Sequence, residues 1–388
     1  MKIKIAYYSP SKGNGWKGHQ VNEMIHALKK DGEFAGFLGI SNGDKCDSIN
    51  VREFRLPLKI NNFIKKLSKI TAIPSYVGYL TGEYLYGVMA SRQLGSDYDV
   101  VICKPRPHSI VKKAKKAGKK IVLDYGEIHP KVMEKRLKEE YENYDIKNSY
   151  IYTNEYAINE SLKSIEAADI IIVNSEYSKR TFLESGISES KLKKVNLLSG
   201  KNTVIKNSIS EDDICFVTTA HHSFVKGTHR LIEVWKNIKS KNATLYIVGD
   251  LHKDMTEYLN KTDVPDNVKI VGRKNIEDFY KNKNIVGVSY SLAEGYSRVV
   301  EEFIRRGYPV VCTEVSTCDL IRNNENGIVV NIKNDTELMS NLERIINEPD
   351  IYASLKKGAL ETAKELNLSK KNYATDLVVT IRDEFDVS

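Results

Sequence analysis

Short, nearly unbroken apolar runs alternate along this chain with longer stretches in which apolar residues return every three or four positions. The runs at 1–8, 99–103, 119–123, 169–173, 214–219, 244–248, 268–273 and 285–290 have the continuity of strands buried on both faces. Between them, sets such as Val21, Met24, Ile25 and Leu28, or Leu231, Ile232, Trp235 and Ile238, fall at helical spacing. Strand and helix in alternation predict an α/β chain with parallel sheets. A length of 388 residues suits two domains of about 190 each. The polar, aperiodic stretch 200–212 is the expected linker, which divides the chain into 1–205, 206–369 and a final helical segment, 370–388.

Each predicted domain opens with a strand, a loop of small or polar residues and a helix. In the first, the loop 9–19 carries Gly13, Gly15 and Gly18, which allow a ligand to approach the backbone closely. No Gly-Lys-Ser/Thr follows at the spacing of a P-loop. The loops after the strands at 99–103 and 119–123 hold His108 and then Asp124, Glu127 and His129, at the strand ends where open α/β sheets place ligands. A helical, charge-rich insertion follows at 131–148.

Composition narrows the class. Hydrophobic content of 41% and charged content of 28% describe a chain with ample core, and no apolar run reaches the roughly 18 residues that span a bilayer. The chain enters its first strand directly, without the apolar segment of a signal peptide, so a cytoplasmic location is expected. Cys46, Cys103, Cys215, Cys312 and Cys318 are scattered, with no C-x-x-C pair, and suggest neither a disulfide framework nor a zinc site. The formal charge of +8 admits anionic partners without choosing among them.

Two basic clusters are more specific. One is amphipathic, 58–73, with Ile60, Phe63, Ile64, Leu67 and Ile70 on one face and Lys59, Lys65, Lys66 and Lys69 elsewhere. The other comprises Lys112, Lys113, Lys115, Lys116, Lys119 and Lys120. Two readings stand: the apolar face packs on the sheet with its lysines solvated, or the clusters hold the domain against anionic headgroups on the inner face of a membrane.

The densest chemistry lies at 291–311, S-L-A-E-G-Y-S-R-V-V-E-E-F-I-R-R-G-Y-P-V-V. A polar turn bearing Glu294 runs through Gly295 into a helix for which Ser297 is the expected N-cap and Gly307 with Pro309 the stop. Val299, Val300, Phe303 and Ile304 form its apolar face, and Glu301 and Glu302 flank that face at similar angles. Periodicity does not choose between the two glutamates. Arg298, Arg305 and Arg306 stand at ion-pair spacing from them, so a purely structural role for these charges is also open.

Glu294-x7-Glu302, embedded in that phrase, resembles the donor-site motif of retaining nucleotide-sugar glycosyltransferases of family 4. These have the GT-B fold, two Rossmann-like doubly wound domains facing across a cleft. The phrase A-D-I-I-I-V-N-S-E-Y-S at 168–178 and the Lys226-Gly227 pair after the strand 214–219 extend the resemblance. It implies a metal-independent, cofactor-free transferase that uses a nucleoside diphosphate sugar of UDP or GDP type and a glycan or lipid-linked hydroxyl acceptor, with no nucleic-acid partner. It also implies that the last helix, from Lys370, crosses back to the first domain.

The resemblance further implies site roles. Lys226, His221 and the backbone amides of Gly295, Tyr296 and Ser297 would meet the diphosphate, Glu302 the ribose and Glu294 the sugar hydroxyls. The base would lie near Gly272-Arg273, and the loop with Gly15 would face the donor. His108 is the catalytic candidate of the first domain, and Asp124, Glu127 and His129 are its acceptor-side candidates. Two departures stand out. His221 occupies the position usually held by arginine, with Arg298 as a compensating cation, and the histidines of the first domain fall later than the family pattern has them. These departures keep two alternatives open: a degenerate GT-B subunit that binds without turnover, and a GT-B nucleotide-sugar epimerase.

Overall fold

A computed structural model of the chain describes residues 1–7, 16–39, 51–68, 70–71, 73–147, 150–198, 214–274, 284–369 and 371–385, without the side chains of 16–20, 51–53 and 75. Gly15, Lys69, Cys46 and the linker at 200–212 lie outside the described residues.

Two parallel sheets organise the fold. The first has seven strands in the order β3-β2-β1-β4-β5-β6-β7. They are β1 (Ile3–Ala6), β2 (Phe34–Gly39), β3 (Val51–Glu53), β4 (Val100–Cys103), β5 (Lys120–Asp124), β6 (Ile170–Val173) and β7 (Leu192–Lys194). The second has six in the order β10-β9-β8-β11-β12-β13: β8 (Ile214–Thr219), β9 (Ala243–Val248), β10 (Val268–Gly272), β11 (Asn284–Ser289), β12 (Val310–Thr313) and β13 (Gly327–Val330). Central strands such as Ile170–Val173 and Val310–Thr313 are buried throughout, because helices cover both faces of each sheet. Lys4, in a buried strand, is accommodated by donating to Leu94 O at 2.8 Å and Asp97 Oδ1 at 2.6 Å.

In each sheet the strand order reverses once, between β1 and β4 and between β8 and β11. The C-terminal ends of strands flanking such a reversal diverge into a crevice, and ligands of open α/β sheets bind there. The loops after β8 and β11 carry Lys226 and Glu294.

The helix Pro130–Asn143 belongs by chain position with the first sheet but packs on the second. Its Met133, Leu137 and Tyr141 share a core with Phe224, Leu231 and Trp235. The Tyr141 ring stacks on Phe224 at 5.1 Å, and its hydroxyl donates to Asp254 Oδ2 at 2.6 Å. Glu140, fully buried, is held by His229 Nε2 at 2.7 Å and Arg230 Nε at 2.5 Å. The terminal helix Tyr373–Phe385 lies against the helix Trp16–Lys30, with Tyr373, Leu377 and Ile381 in one core with Ile3, Ile5 and Met24 of the first domain.

Candidate functional site

Lys226 is set by the turn that follows β8. Phe224–Lys226 form a single 3-10 turn closed by Gly227 at φ +64°, where a Cβ would stand 2.0 Å from the Tyr290 carbonyl oxygen. Only glycine satisfies both the left-handed backbone and that contact. The Leu292 amide donates to Val225 O at 2.8 Å, which ties the loop after β11 to this turn. Across it the Lys226 ammonium is hydrogen-bonded to Glu294 Oε1, which also accepts from Ser291 Oγ at 3.1 Å. Burial pulls the Lys226 pKa down, but the Glu294 carboxylate outweighs it and the net shift is upward. Lys226 is therefore a firm cation.

Gly295 brings this loop against the first domain. A Cβ there would stand 2.3 Å from Gly126 O, and Ser175 Oγ donates to Gly295 O at 2.7 Å. Ser178 Oγ binds Glu127 O at 2.8 Å, while the Glu127 carboxylate accepts from the Tyr152 hydroxyl at 3.0 Å. Glu127 is thus placed where its charge acts on Lys226. Tyr150 joins them, its ring 5.3 Å from Tyr152 and 5.5 Å from His252. Burial pushes its phenol up to about 12, and Lys226, Glu127 and Glu294 all act on it. Tyr150, Tyr152 and His252 escaped the sequence reading, since loops far apart in the chain supply them and no spacing marks them.

The two glutamates that periodicity left equivalent are separated by packing. Glu301 is 3% exposed and accepts from Arg305 Nε at 2.7 Å, and Arg305 Nη1 in turn binds Leu366 O at 3.2 Å. Glu302 stays partly exposed, 3.2 Å from Arg306 Nη2. Ser297 occupies the N-cap position of the helix Arg298–Arg305, but its side chain makes no cap bond. Its amide, expected to face phosphate, donates to Cys318 Sγ at 3.0 Å, and Cys318 returns a bond to Ser297 O at 3.0 Å. Tyr296 is buried and Arg298 exposed at the helix start.

Beyond this centre, His221 is exposed, with its ring edge-on to His252 at 5.7 Å. Burial and then the His252 ring hold its pKa below the ordinary value. Arg273 projects into solvent and is bound to Asp250 Oδ2 at 2.7 Å. The neighbouring His222 is an interior residue, bonded to Thr228 Oγ1 at 2.9 Å and Val248 O at 3.0 Å, with its pKa driven by burial to about 4.

The first-domain candidates part company. Glu127 reaches the centre. Asp124 is instead a buried junction whose oxygens accept from Lys104 Nζ, the Tyr7 hydroxyl and the Tyr373 hydroxyl, each at 2.6 Å. His129 is buried edge-on to Phe182 at 5.2 Å, its pKa pushed by burial to about 4. His108 bonds Ser164 Oγ at 3.1 Å and lines a cavity of about 370 Å³ with Lys112, Lys115, Lys116 and Lys163. Among the described residues, no group of three or more His, Cys, Asp or Glu side chains is arranged to hold a metal ion.

Residues 201–362 match the family described as Glycosyl transferases group 1. An uncharacterized glycosyltransferase of Haemophilus influenzae is 24% identical over 226 residues, 56% of this chain and 60% of that protein. The amylovoran biosynthesis glycosyltransferase AmsD of Erwinia amylovora is 23% identical over 157 residues, 39% of this chain and 44% of its own. The chain thus spans about half the length of these curated relatives. In the solved structures, HepE of Anabaena superposes with a TM-score of 0.64 at 17% identity, over 99% of this chain and all of that one. The architecture is the GT-B fold, and residues 201–362 are similar to the group 1 glycosyl transferases.

Proposed function

We propose that this chain transfers a sugar from a nucleoside diphosphate sugar to a hydroxyl acceptor with retention of configuration. The observation that carries the reading is the contact of Lys226 with Glu294 at the strand-order reversal of the second sheet, facing Glu127 and Tyr150 of the first domain. A cation and a carboxylate held together in this way present one charge to a diphosphate and one acceptor group to sugar hydroxyls. The HepE structures are complexes with UDP and with UDP-glucose, which favours a UDP-type donor here.

In this reading Lys226 neutralises the negative charge that grows on the leaving diphosphate, Glu294 orients the sugar and Glu302 takes the ribose hydroxyls. The bond between the anomeric carbon and the diphosphate oxygen breaks as the acceptor oxygen approaches the same face. The acceptor proton passes to the departing phosphate oxygen, so no side chain needs to act as a covalent nucleophile. Glu127 lies on the acceptor side. Binding without turnover is the second reading, favoured by the imidazole of His221 at the expected arginine position, because a neutral ring stabilises a leaving diphosphate less than a guanidinium does.

Titration calorimetry with UDP and GDP, followed by donor hydrolysis and transfer assays on wild type and Glu294→Ala, tests both readings. Binding with Glu294-dependent turnover supports transfer, and binding with no turnover supports the non-catalytic subunit. Failure to bind either nucleotide sinks the proposal.

A further inference from the structure

The helix Arg55–Leu67 is packed with its apolar stripe outward. Its buried residues are Pro57 and Asn61, whereas Leu56 and Phe63 are 51% and 62% exposed, and Ile70 beyond its end is 82% exposed. Leu56 and Phe63 lie two turns apart on one stripe, with half-buried Ile60 and Leu67 completing it. The helix rests on Ser75–Arg92, that helix on His108–Lys116, and that one on Glu155–Ala167, so the four form one layer beside the first sheet. Tyr84 and Tyr156 carry the exposure across the layer. Six of the ten large apolar side chains exposed among the described residues belong to this layer and its connecting turn.

The charge on the first three helices of this layer is one-sided, whereas the fourth carries Glu155, Glu160 and Glu166 against Lys163. No carboxylate occurs between Glu53 and Glu83, while Arg55, Lys59, Lys65, Lys66 and Lys69 fall in that interval. Every exposed charged side chain on the first three helices of the layer is Lys or Arg, because Glu83 is buried with Arg106 Nε at 3.3 Å. The cavity beside His108 continues the pattern, with Lys112, Lys115, Lys116 and Lys163 on its walls against the single carboxylate of Glu166. The four lysines of the helix His108–Lys116 make no ion pair among the described residues, whereas Lys163 lies 3.5 Å from Glu160 Oε1.

Exposed apolar residues lose contact with nothing but water, and clustered cations repel one another. A partner that lowers both costs offers an apolar phase beneath a layer of negative charge, and the interface of an anionic bilayer has that structure. A surface-lying mode fits, since no helix of the described residues is long and apolar enough to cross a membrane. We propose that this helical layer docks on an anionic lipid bilayer, with Leu56, Phe63 and Ile70 at the acyl boundary and the lysines among the headgroups. The inference does not depend on the chemistry at Lys226 and Glu294.

Flotation of the full chain with vesicles tests it, comparing phosphatidylcholine alone with phosphatidylcholine containing phosphatidylglycerol. Binding to the anionic vesicles alone is expected, weakening with added salt. Replacing Lys59, Lys65 and Lys66 together with Ser should weaken it roughly a hundredfold. Phe63→Ser with Ile70→Ser should weaken it at least as visibly, with circular dichroism unchanged because the sites are exposed. Phe63→Trp should add a fluorescence signal that shifts to the blue on vesicle addition. Equal binding to both vesicle types, indifference to these variants, or self-association of the chain through this face would overturn the proposal. So would capture of soluble pyrophosphate with no vesicle binding.

Discussion

Lys226 and Glu294, 68 residues apart in the chain, meet in one hydrogen-bonded ion pair between the loops that follow β8 and β11. Each holds the other in place, and in the proposed reaction each engages the nucleoside diphosphate sugar. Removing either should therefore do more than delete one contact. Lys226→Ala should weaken UDP binding by about 2 kcal/mol, roughly thirtyfold, by loss of a charge-assisted bond. Glu294→Gln should leave UDP binding nearly intact while reducing transfer by about two orders of magnitude. Calorimetry and turnover on the same preparations separate the two effects.

Glu294→Gln should also change Lys226 itself. The carboxylate raises the ammonium pKa against burial, so its removal lets burial dominate and the pKa falls. The high-pH limb of UDP binding should move to lower pH in the variant, and an unmoved limb would separate Lys226 from the nucleotide.

Glu301 and Glu302 should respond oppositely to substitution. Glu301→Gln leaves Arg305 charged in the interior and should cost about 3–5 kcal/mol of stability. Glu302→Gln, at a partly exposed site, should change the melting temperature little and weaken UDP more than pyrophosphate. Thermal unfolding and the two affinities decide.

The bond network of Glu140 should make the domain interface acid-sensitive. His229 and Arg230 outweigh burial and hold the Glu140 carboxyl at about 2. A folded pKa below the unfolded value of about 4.3 contributes stability that is complete above that value and disappears as pH falls towards 2. The contribution is on the order of 3 kcal/mol. Urea unfolding followed from pH 6 to pH 2.5 should show this loss in wild type and a flatter profile in Glu140→Gln.

His221 should give nucleotide binding a pH dependence of its own. Burial and His252 favour the neutral ring, with Arg273 acting in the same sense and Asp250 and Asp254 opposing. UDP affinity should rise as pH falls below the ordinary imidazole range of about 6.5. His221→Arg should abolish that dependence and tighten binding at neutral pH. A variant with the wild-type pH profile would place His221 away from the diphosphate.

What the chain states by itself is local. Runs such as Ile170–Val173 read as strands because burial on both faces demands continuous apolar residues. The phrase around Glu294 and the Lys226-Gly227 pair read as resembling a donor-site motif because turn, helix and charge follow one another within a few residues. Long-range packing decided the rest. Helix periodicity sets Glu301 and Glu302 at similar angles from the apolar stripe, and only the neighbouring chain at Leu366 makes one of them interior. Asp124 and His129 stand at strand ends where ligands bind, yet Tyr7, Tyr373 and Phe182 arrive from distant segments and enclose them. Tyr150 and His252 reach the centre from different domains, a meeting for which no spacing in either segment provides a sign. Periodicity reports which side of an element is apolar; what covers that side, or leaves it bare as at Phe63, is set by where the other elements come to rest.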